Sequence, residues 1–472
     1  MEYVTCLWCV TAYTDTLARV SRLTFDDDLF LRMECVMNIP VVNQIVWRFD
    51  GVEGVAVPEA VLLDALSNMW HNLAAGPLSR KVERVRVPGA RDRWARASHC
   101  SPLNVAESVL PASRLGEWMQ QRAAVPLDPL DGPVWQLACT ALDDGGFAVS
   151  LVASHVIGDG GALTSAAIAA SNGPDEPDDF RSAWNSLSRD DLRDAARQFG
   201  AAATGTARVV ARKLRGVLDG AGRTSADAAP PATVAQRFEQ ASRGAFTPST
   251  VVVDCPTDEW RAAAVGVGGS ANSLLVAIAL GVLTASGRVD EAEPVKVSLP
   301  VSTRTLGDIR ANATSGVSIH VDGGGGYRTD LSAIRRDSKA AFTALSDAST
   351  PTSFELTKPL VQMLPDIVVA QASKSATAPL CLCSNLGDRG VRARSIGGLQ
   401  ARSVAMRSIT QNTTAQLLRR TKGGVSVWWN TSGETATLCV TGLDPDAFPT
   451  AEHLRRLVAE EYDRWQLTPT FW

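Results

Sequence analysis

Histidine is scarce in this chain. Five histidines stand among 472 residues, at positions 71, 99, 155, 320 and 453, so any histidine-dependent chemistry has few places to reside. No HExxH occurs and no two histidines have zinc-ligand spacing, which excludes the common hydrolytic metal sites. No GxSxG elbow is present, so a hydrolase of that type lacks its nucleophile. There is no long Lys/Arg run and the net charge is −4, so the electrostatic footprint of a nucleic-acid binder is missing. Apolar stretches such as Ser273 to Ala285 fall short of the roughly 20 residues that span a bilayer. The segment Met1 to Tyr13 is apolar but carries Glu2 and no basic stretch, which makes a poor secretory signal and leaves cytoplasmic residence as the expectation. The nine cysteines are odd in number and scattered, which fits reduced thiols better than a disulfide framework. Cys6-Leu7-Trp8-Cys9 is a single CxxC with no second pair and no nearby histidine, and reads as incidental.

What is there is an ordinary globular balance, 45% hydrophobic and 20% charged, in a chain longer than one core usually supports. Two domains are expected: residues 1–185, a crossover at 186–245, and residues 246–472. In the first, Val41 to Phe49 reads as a strand closed by Asp50-Gly51. Pro58 opens a helix whose Val61, Leu62, Leu66, Met69 and Trp70 recur at helical spacing. Arg80 to Val87 alternates like a strand, and Ala112 to Ala123 looks helical. Val134 to Leu142 and Phe147 to Ser154 flank the turn Asp143-Asp144-Gly145-Gly146 and read as a hairpin. Gly161 to Ala170 reads as a helix.

Ser171 to Asp179 and Asp219 to Thr233 are rich in Gly, Pro, Asp or Ala and flank a basic helical segment, Arg189 to Leu218. That helix is either a solvated face or a contact to anionic lipid or to a phosphorylated carrier. The second half repeats the mixture. Strands are expected at 250–254, 295–302, 316–321, 379–385, 425–430 and 435–441, and helices at 257–265, 271–286, 330–346, 354–372 and 448–465. The fold class is therefore mixed α/β.

Gly266-Val267-Gly268-Gly269-Ser270-Ala271 matches a loose dinucleotide fingerprint, but it follows a helix rather than the strand that motif requires. Ser154-His155-Val156-Ile157-Gly158-Asp159-Gly160 carries more. A histidine near pKa 6.5 can accept a proton at neutral pH, and at a strand-to-helix turn it can reach a cleft. Asp159 can pair with a cation behind the turn, and Gly160 and Gly161 are expected to supply its backbone angles. Alone, a histidine at a strand end is as readily structural as catalytic.

Its surroundings are similar to those in the superfamily of HxxxDG acyltransferases with the chloramphenicol-acetyltransferase-like fold, which includes condensation domains and wax ester synthase/diacylglycerol acyltransferases. The latter branch is resembled at Leu23-Thr24-Phe25-Asp26-Asp27-Asp28-Leu29-Phe30; at Leu127-Asp128 with Gly132-Pro133-Val134-Trp135; at Asn272 opening an apolar helix; at Leu299-Pro300-Val301-Ser302-Thr303-Arg304 followed by Asn312; and at Ser384-Asn385-Leu386-Gly387. These stand in the family's order over residues 20 to 465. Two positions depart: many members have a further histidine where this chain has Ser154, and Asp388 follows Gly387 where a proline-containing turn is common.

The resemblance implies two subdomains, each a mixed sheet with helices, in a pseudo-symmetric V around a tunnel with His155 at its floor. It implies an acyl thioester donor, either coenzyme A or a carrier protein's phosphopantetheine, an alcohol or amine acceptor, and no further cofactor or metal. The catalytic motif would be His155, Asp159 and Gly160, with Asp159 held by Arg304. Asn385, Asn272 and Ser384 are candidates to meet the oxyanion or substrate, and each asparagine reads equally well as a turn or helix cap. A stand-alone condensation enzyme and a non-catalytic acyl- or carrier-binding relative are the alternatives.

Overall fold

The computed structural model describes residues 22–51, 59–173, 189–218, 246–290, 293–305, 308–347 and 350–472. The Cys6–Cys9 pair, Pro58, most of Ser171 to Asp179 and all of Asp219 to Thr233 lie outside them.

Sixteen strands are found among the described residues: β1 Val41–Phe49, β2 Arg80–Glu83, β3 Arg93–Arg96, β4 Asn104–Val105, β5 Trp135–Ala141, β6 Phe147–Ser154, β7 Thr250–Pro256, β8 Val295–Ser302, β9 Thr314–Val321, β10 Cys381–Gly387, β11 Ser395–Ile396, β12 Leu399–Gln400, β13 Ser403–Thr410, β14 Val425–Thr431, β15 Thr435–Gly442 and β16 Thr470–Phe471. Two sheets organise the molecule. One has the order β13-β1-β6-β5-β4, the other β16-β7-β15-β14-β10-β8-β9; two short hairpins, β2-β3 and β11-β12, complete the set.

The hairpin β5-β6 forms around Asp144-Gly145-Gly146 as its turn residues dictate, with Trp135 opposite Ala153 and Ala141 opposite Phe147. β1 lies antiparallel on the other side of β6, from Val42 opposite Ser154 to Phe49 opposite Phe147. Both strands are buried almost throughout, so their residues are mostly apolar on both faces, and the buried Asn43, Gln44 and Ser150 are hydrogen-bonded. Ile45, Trp47, Val149 and Leu151 pack with Leu66, Met69 and Leu73 of helix Glu59–Ala75 and with Leu163 and Ala167 of helix Gly160–Asn172. Val46 and Ala148, on the opposite face, pack with Leu115 and Trp118 of helix Leu115–Ala123.

The second sheet is covered by the helices Thr257–Gly266, Ala271–Ala285, Ser332–Ser346 and Ala451–Arg464. Helix Ala271–Ala285 is closed at its start by a Ser270/Ser273 capping box and is buried from Ser273 to Leu283. Its apolarity all round is that of a core helix. Among the described residues no single helix is long and apolar enough to cross a membrane.

The two halves of the sequence are not confined to separate sheets. β13 leaves the second half and pairs antiparallel with β1, Val41 opposite Thr410 through Arg48 opposite Ser403, as the edge strand of the first sheet. Val252, Cys439 and Trp472 of the second sheet then meet Val46 and Ala405 of the first. Sequence patterning missed β13 because both of its faces are buried, as in β6, while its apolar run is short. Val404 and Met406 pack on one side and Ala405 and Ile409 on the other, and Arg407 interrupts the run. Residues 354–372, expected as one helix, form two, Ser353–Gln362 and Asp366–Ser373, because Pro365 carries no N–H with which to continue. The strand expected over Arg80 to Val87 ends at Glu83.

Candidate active site

His155 directly follows β6, and its backbone N–H donates to the Val41 carbonyl at 2.8 Å, so the sheet's pairing continues into the motif. The chain then turns. Ile157 N–H donates to the Ser154 carbonyl and Asp159 N–H to the Ala311 carbonyl, both at 3.0 Å. Four successive carbonyls of the turn are taken by side chains from elsewhere. Asn312 Nδ2 donates to the His155 carbonyl at 3.1 Å and to that of Val156 at 3.4 Å. Arg80 donates to the Ile157 carbonyl through Nη2 at 2.8 Å, and Asn43 Nδ2 to the Gly158 carbonyl at 2.8 Å. A buried turn must find partners for its backbone, and this one draws them from β1, from β2 and from the segment after Arg304.

Both oxygens of Asp159 are bonded to groups other than the imidazole. Asp159 caps helix Gly160–Asn172, accepting from Ala162 N–H at 2.8 Å, and its other oxygen accepts from Ala313 N–H at 2.8 Å and Thr314 Oγ1 at 2.9 Å. Arg304 Nη2 closes the ion pair at 2.8 Å with both side chains buried. Burial alone would raise this carboxyl, but Arg304 and the N–H donors outweigh it and hold Asp159 below the usual carboxylate range. Arg304 in turn donates to the carbonyls of Arg310 at 2.7 Å and Ala311 at 3.1 Å. Asp159 thus touches the fold and reaches His155 only through its charge.

The glycines of the motif serve a purpose other than the one expected. Neither Gly160 nor Gly161 has a positive φ, and both belong to the helix. A Cβ at Gly160 would lie 3.0 Å from the Trp428 ring, and one at Gly161 would lie 3.2 Å from Asp159 Oδ1 and 3.3 Å from Arg304 Nε. They are small because a tryptophan from β14 and the Arg304 side chain press against them.

Helix Phe25–Cys35 lies along the motif and supplies contacts that motif reading did not assign. Asp27, Phe30 and Glu34 follow one another at i, i+3 and i+7 on one face. Asp27 Oδ1 accepts from both the backbone and the side chain of Asn312, at 3.0 and 2.9 Å. Burial pushes its carboxyl up, the bonds from Thr24 and Asn312 opposing. The Phe30 ring stacks on the His155 imidazole, centroids 3.7 Å apart and planes 18° from parallel. Ser154 Oγ donates to Glu34 Oε2 at 3.3 Å, and burial pushes the Glu34 carboxyl up to about 7. The sequence signal for this helix was the segment Leu23 to Phe30, whose Thr24 and Asp27 form a capping box.

His155 itself is partly buried, with its Nδ1 shut off from solvent. Burial lowers its pKa below 6.5, with the charge of Asp159 offsetting only part of that, so the neutral ring is favoured at pH 7. Its Nδ1 has no hydrogen-bond partner among the described residues.

The remaining candidates group differently. Asn385 and Asn272 are brought together, Asn385 Nδ2 lying 3.4 Å from Asn272 Oδ1, while Asn385 Oδ1 accepts from Gly387 N–H at 2.9 Å. In β10, Cys381 and Cys383 face the helix-covered core, as do Val425, Val427 and Trp429 in the paired strand β14, and Asn385 follows the same alternation opposite Trp429. Ser384, opposite Trp428, belongs to the other face, the one that meets Gly160. The structure therefore gathers His155, Asp159, Gly160 and Arg304 around the motif turn and pairs the two asparagines with each other. No cluster of three or more metal-ligating side chains occurs among the described residues.

Three-dimensional comparison identifies the arrangement. The wax ester synthase/diacylglycerol acyltransferase from Marinobacter aquaeolei VT8 superposes with a TM-score of 0.53 at 14% identity, over 95% of this chain and 100% of that one. The first condensation domain of the calcium-dependent antibiotic synthetase, solved with a substrate analogue, gives 0.54 at 15% identity, over 94% and 96%. This chain has the fold they share. A third structure with it, the condensation domain of the Monacolin K polyketide synthase, gives 0.50 at 11% identity over 94% and 96%. In sequence alone no family profile matches the chain and no curated protein matches it significantly. The mixed α/β class expected from patterning is the class found, and β13 is the strand by which the second half enters the first sheet.

Proposed function

We propose that this protein transfers an acyl group from a thioester to an acceptor hydroxyl, with His155 as general base. The observation that carries the reading is a neutral imidazole at a strand end, stacked on Phe30, in a turn whose backbone is held by Asn312, Arg80 and Asn43 and whose aspartate is spent on Arg304. In the step proposed, His155 takes the proton of the acceptor O–H as that oxygen attacks the thioester carbonyl. The C–S bond breaks, an ester remains, and the imidazolium returns its proton to the leaving thiolate. The motif residues then divide the labour: His155 handles the proton, Asp159 and Arg304 fix the turn, and Gly160 leaves room for Trp428. Of the expected oxyanion donors, Ser384 shares its face with Trp428, whereas the Asn385 amide is engaged by Asn272. Coenzyme A or a carrier-bound phosphopantetheine would be the leaving thiol, with no other cofactor, and the tunnel and V-shaped opening belong to the same proposal.

The fold shared with condensation domains favours one further reading, amide formation between carrier-bound groups. Incubating the protein with acetyl-, octanoyl- and palmitoyl-CoA together with a long-chain alcohol and a long-chain amine, and resolving the products by mass spectrometry, separates the two. Ester with released coenzyme A is the expected result, and amide alone would replace it with the condensation reading. Binding without thiol release would remove catalysis from the account.

A further inference from the structure

Helix Arg189–Leu218 carries a face that the acyl-transfer reading leaves unused. Its inner side is accounted for. Asp191 is ion-paired with Arg22 at 2.6 Å and Asp194 with Arg91 at 2.7 Å, and Ala195 and Ala202 are buried. Its outer side is not uniformly polar, as that of a merely solvated helix would be. Leu192, Phe199, Val210 and Leu214 are 57%, 56%, 50% and 59% exposed. At 3.6 residues per turn these four side chains fall within about 40° of a single line, which runs for about 33 Å along the helix. Exposed Ala196 and Ala203 lie on the same line. At one point the stripe joins a neighbouring apolar surface. Phe199 and Met363 meet around Gly89, and beyond Met363 the helix Asp366–Ser373 exposes Ile367 and Val368.

The charges beside the stripe are of one sign. Exposed Arg189, Arg193 and Lys213 lie within about 100° of the stripe around the helix, Arg197 and Arg208 lie farther round, and Arg212 donates to the Pro351 carbonyl at 2.8 Å; the only exposed carboxylate of the helix is Asp190, which is paired with Arg193. The other two carboxylates are turned inward onto Arg22 and Arg91. Large apolar side chains in line, flanked by cations, form the pattern of a helix lying in the plane of a lipid surface, with its apolar side among acyl chains and its guanidinium groups at the head groups.

We propose that the stripe Leu192–Leu214 is a docking surface for an anionic lipid bilayer, on which the protein lies without crossing it. The proposal stands independently of the chemistry at His155.

The test is co-sedimentation of the full chain with vesicles of phosphatidylcholine alone and of phosphatidylcholine mixed with phosphatidylglycerol. Binding to the mixed vesicles is expected, weaker binding to the neutral ones, and release as salt is raised. The double variant Val210→Ser/Leu214→Ser removes apolar side chains that support no core and should lower the partition coefficient roughly tenfold with an unchanged melting temperature. Arg193→Gln/Lys213→Gln should lose the preference for the anionic vesicles. Should the serine variant fold poorly, Leu192→Ser at the far end of the stripe makes the same test. A parent protein that stays in the supernatant with both vesicles, or apolar variants that sediment as the parent does, would overturn the proposal. So would a stripe-dependent complex with a purified acyl carrier protein in the absence of vesicle binding, which would assign the surface to a carrier.

Discussion

The turn at His155 and the strand end at Asn385 are both motif positions, and they are built in opposite ways. In the turn, every carbonyl from His155 to Gly158 has a side-chain donor from another element, and Asp159 has four partners. At the strand end, Asn385 is exposed and makes a local turn bond and one long contact to Asn272. The first place is fixed by long-range contacts, so a residue there can act without supporting its own position. The second is fixed by its own backbone, and a substitution there disturbs little else.

The largest effect that would break this contrast is at Asp159. Replacement by Asn leaves Arg304 buried without its counter-charge and should cost about 3–5 kcal/mol of stability by denaturant unfolding. A loss within about 0.5 kcal/mol would mean that the ion pair does not hold the turn. Asn312→Ala strips the side-chain donor from two motif carbonyls and from the buried Asp27 carboxyl, which keeps the backbone N–H of residue 312. It should cost about 2–3 kcal/mol and lower turnover as well, because the backbone beneath the imidazole is released.

These two residues also show what was legible. Arg304 and Asn312 could be pointed to in sequence because they stand in a recognisable order, yet only one pairing could be anticipated. That Asn312 bridges Asp27 and the His155 carbonyl depends on helix Phe25–Cys35 lying across β6, which no local pattern encodes. Strand β13 was invisible for a related reason. A strand buried on both faces has no alternation, and its Arg407 reads as a surface residue until Gln44 and Gln120 are seen to take its donors at 2.7 and 3.0 Å. Gly160 and Gly161 were found but misread. Their smallness answers to Trp428 and Arg304, which lie 268 and 143 residues away in the chain.

Smaller effects sharpen the comparison. Glu34 titrates near 7 in the fold and near 4.5 unfolded. The folded state therefore holds the extra proton: the stability this gives is full below pH 4.5 and is lost as pH rises through about 7. Glu34→Gln, which keeps a partner for Ser154, should gain on the parent across that window, reaching about 1 kcal/mol above pH 7 after allowance for the solvent that reaches this half-buried group. Parallel stability curves from pH 4.5 to 8 would contradict it. Asn385→Ala should change stability by less than about 0.5 kcal/mol. Its turnover decides a separate point: a small change is expected from an amide already engaged by Asn272, while a loss of about 10²-fold would make Asn385 an oxyanion donor.

The central claim is that His155 moves the proton, and the most direct measurement is turnover and melting temperature on one preparation of His155→Ala. Turnover should fall by about 10²- to 10⁴-fold while the melting temperature stays within a few degrees of the parent. In the parent, kcat/KM should rise with pH through an inflection below 6.5 and then level off, since burial keeps the free imidazole unprotonated at neutral pH. A variant that melts much earlier yet turns over within a few-fold of the parent would make His155 a structural residue and contradict the mechanism.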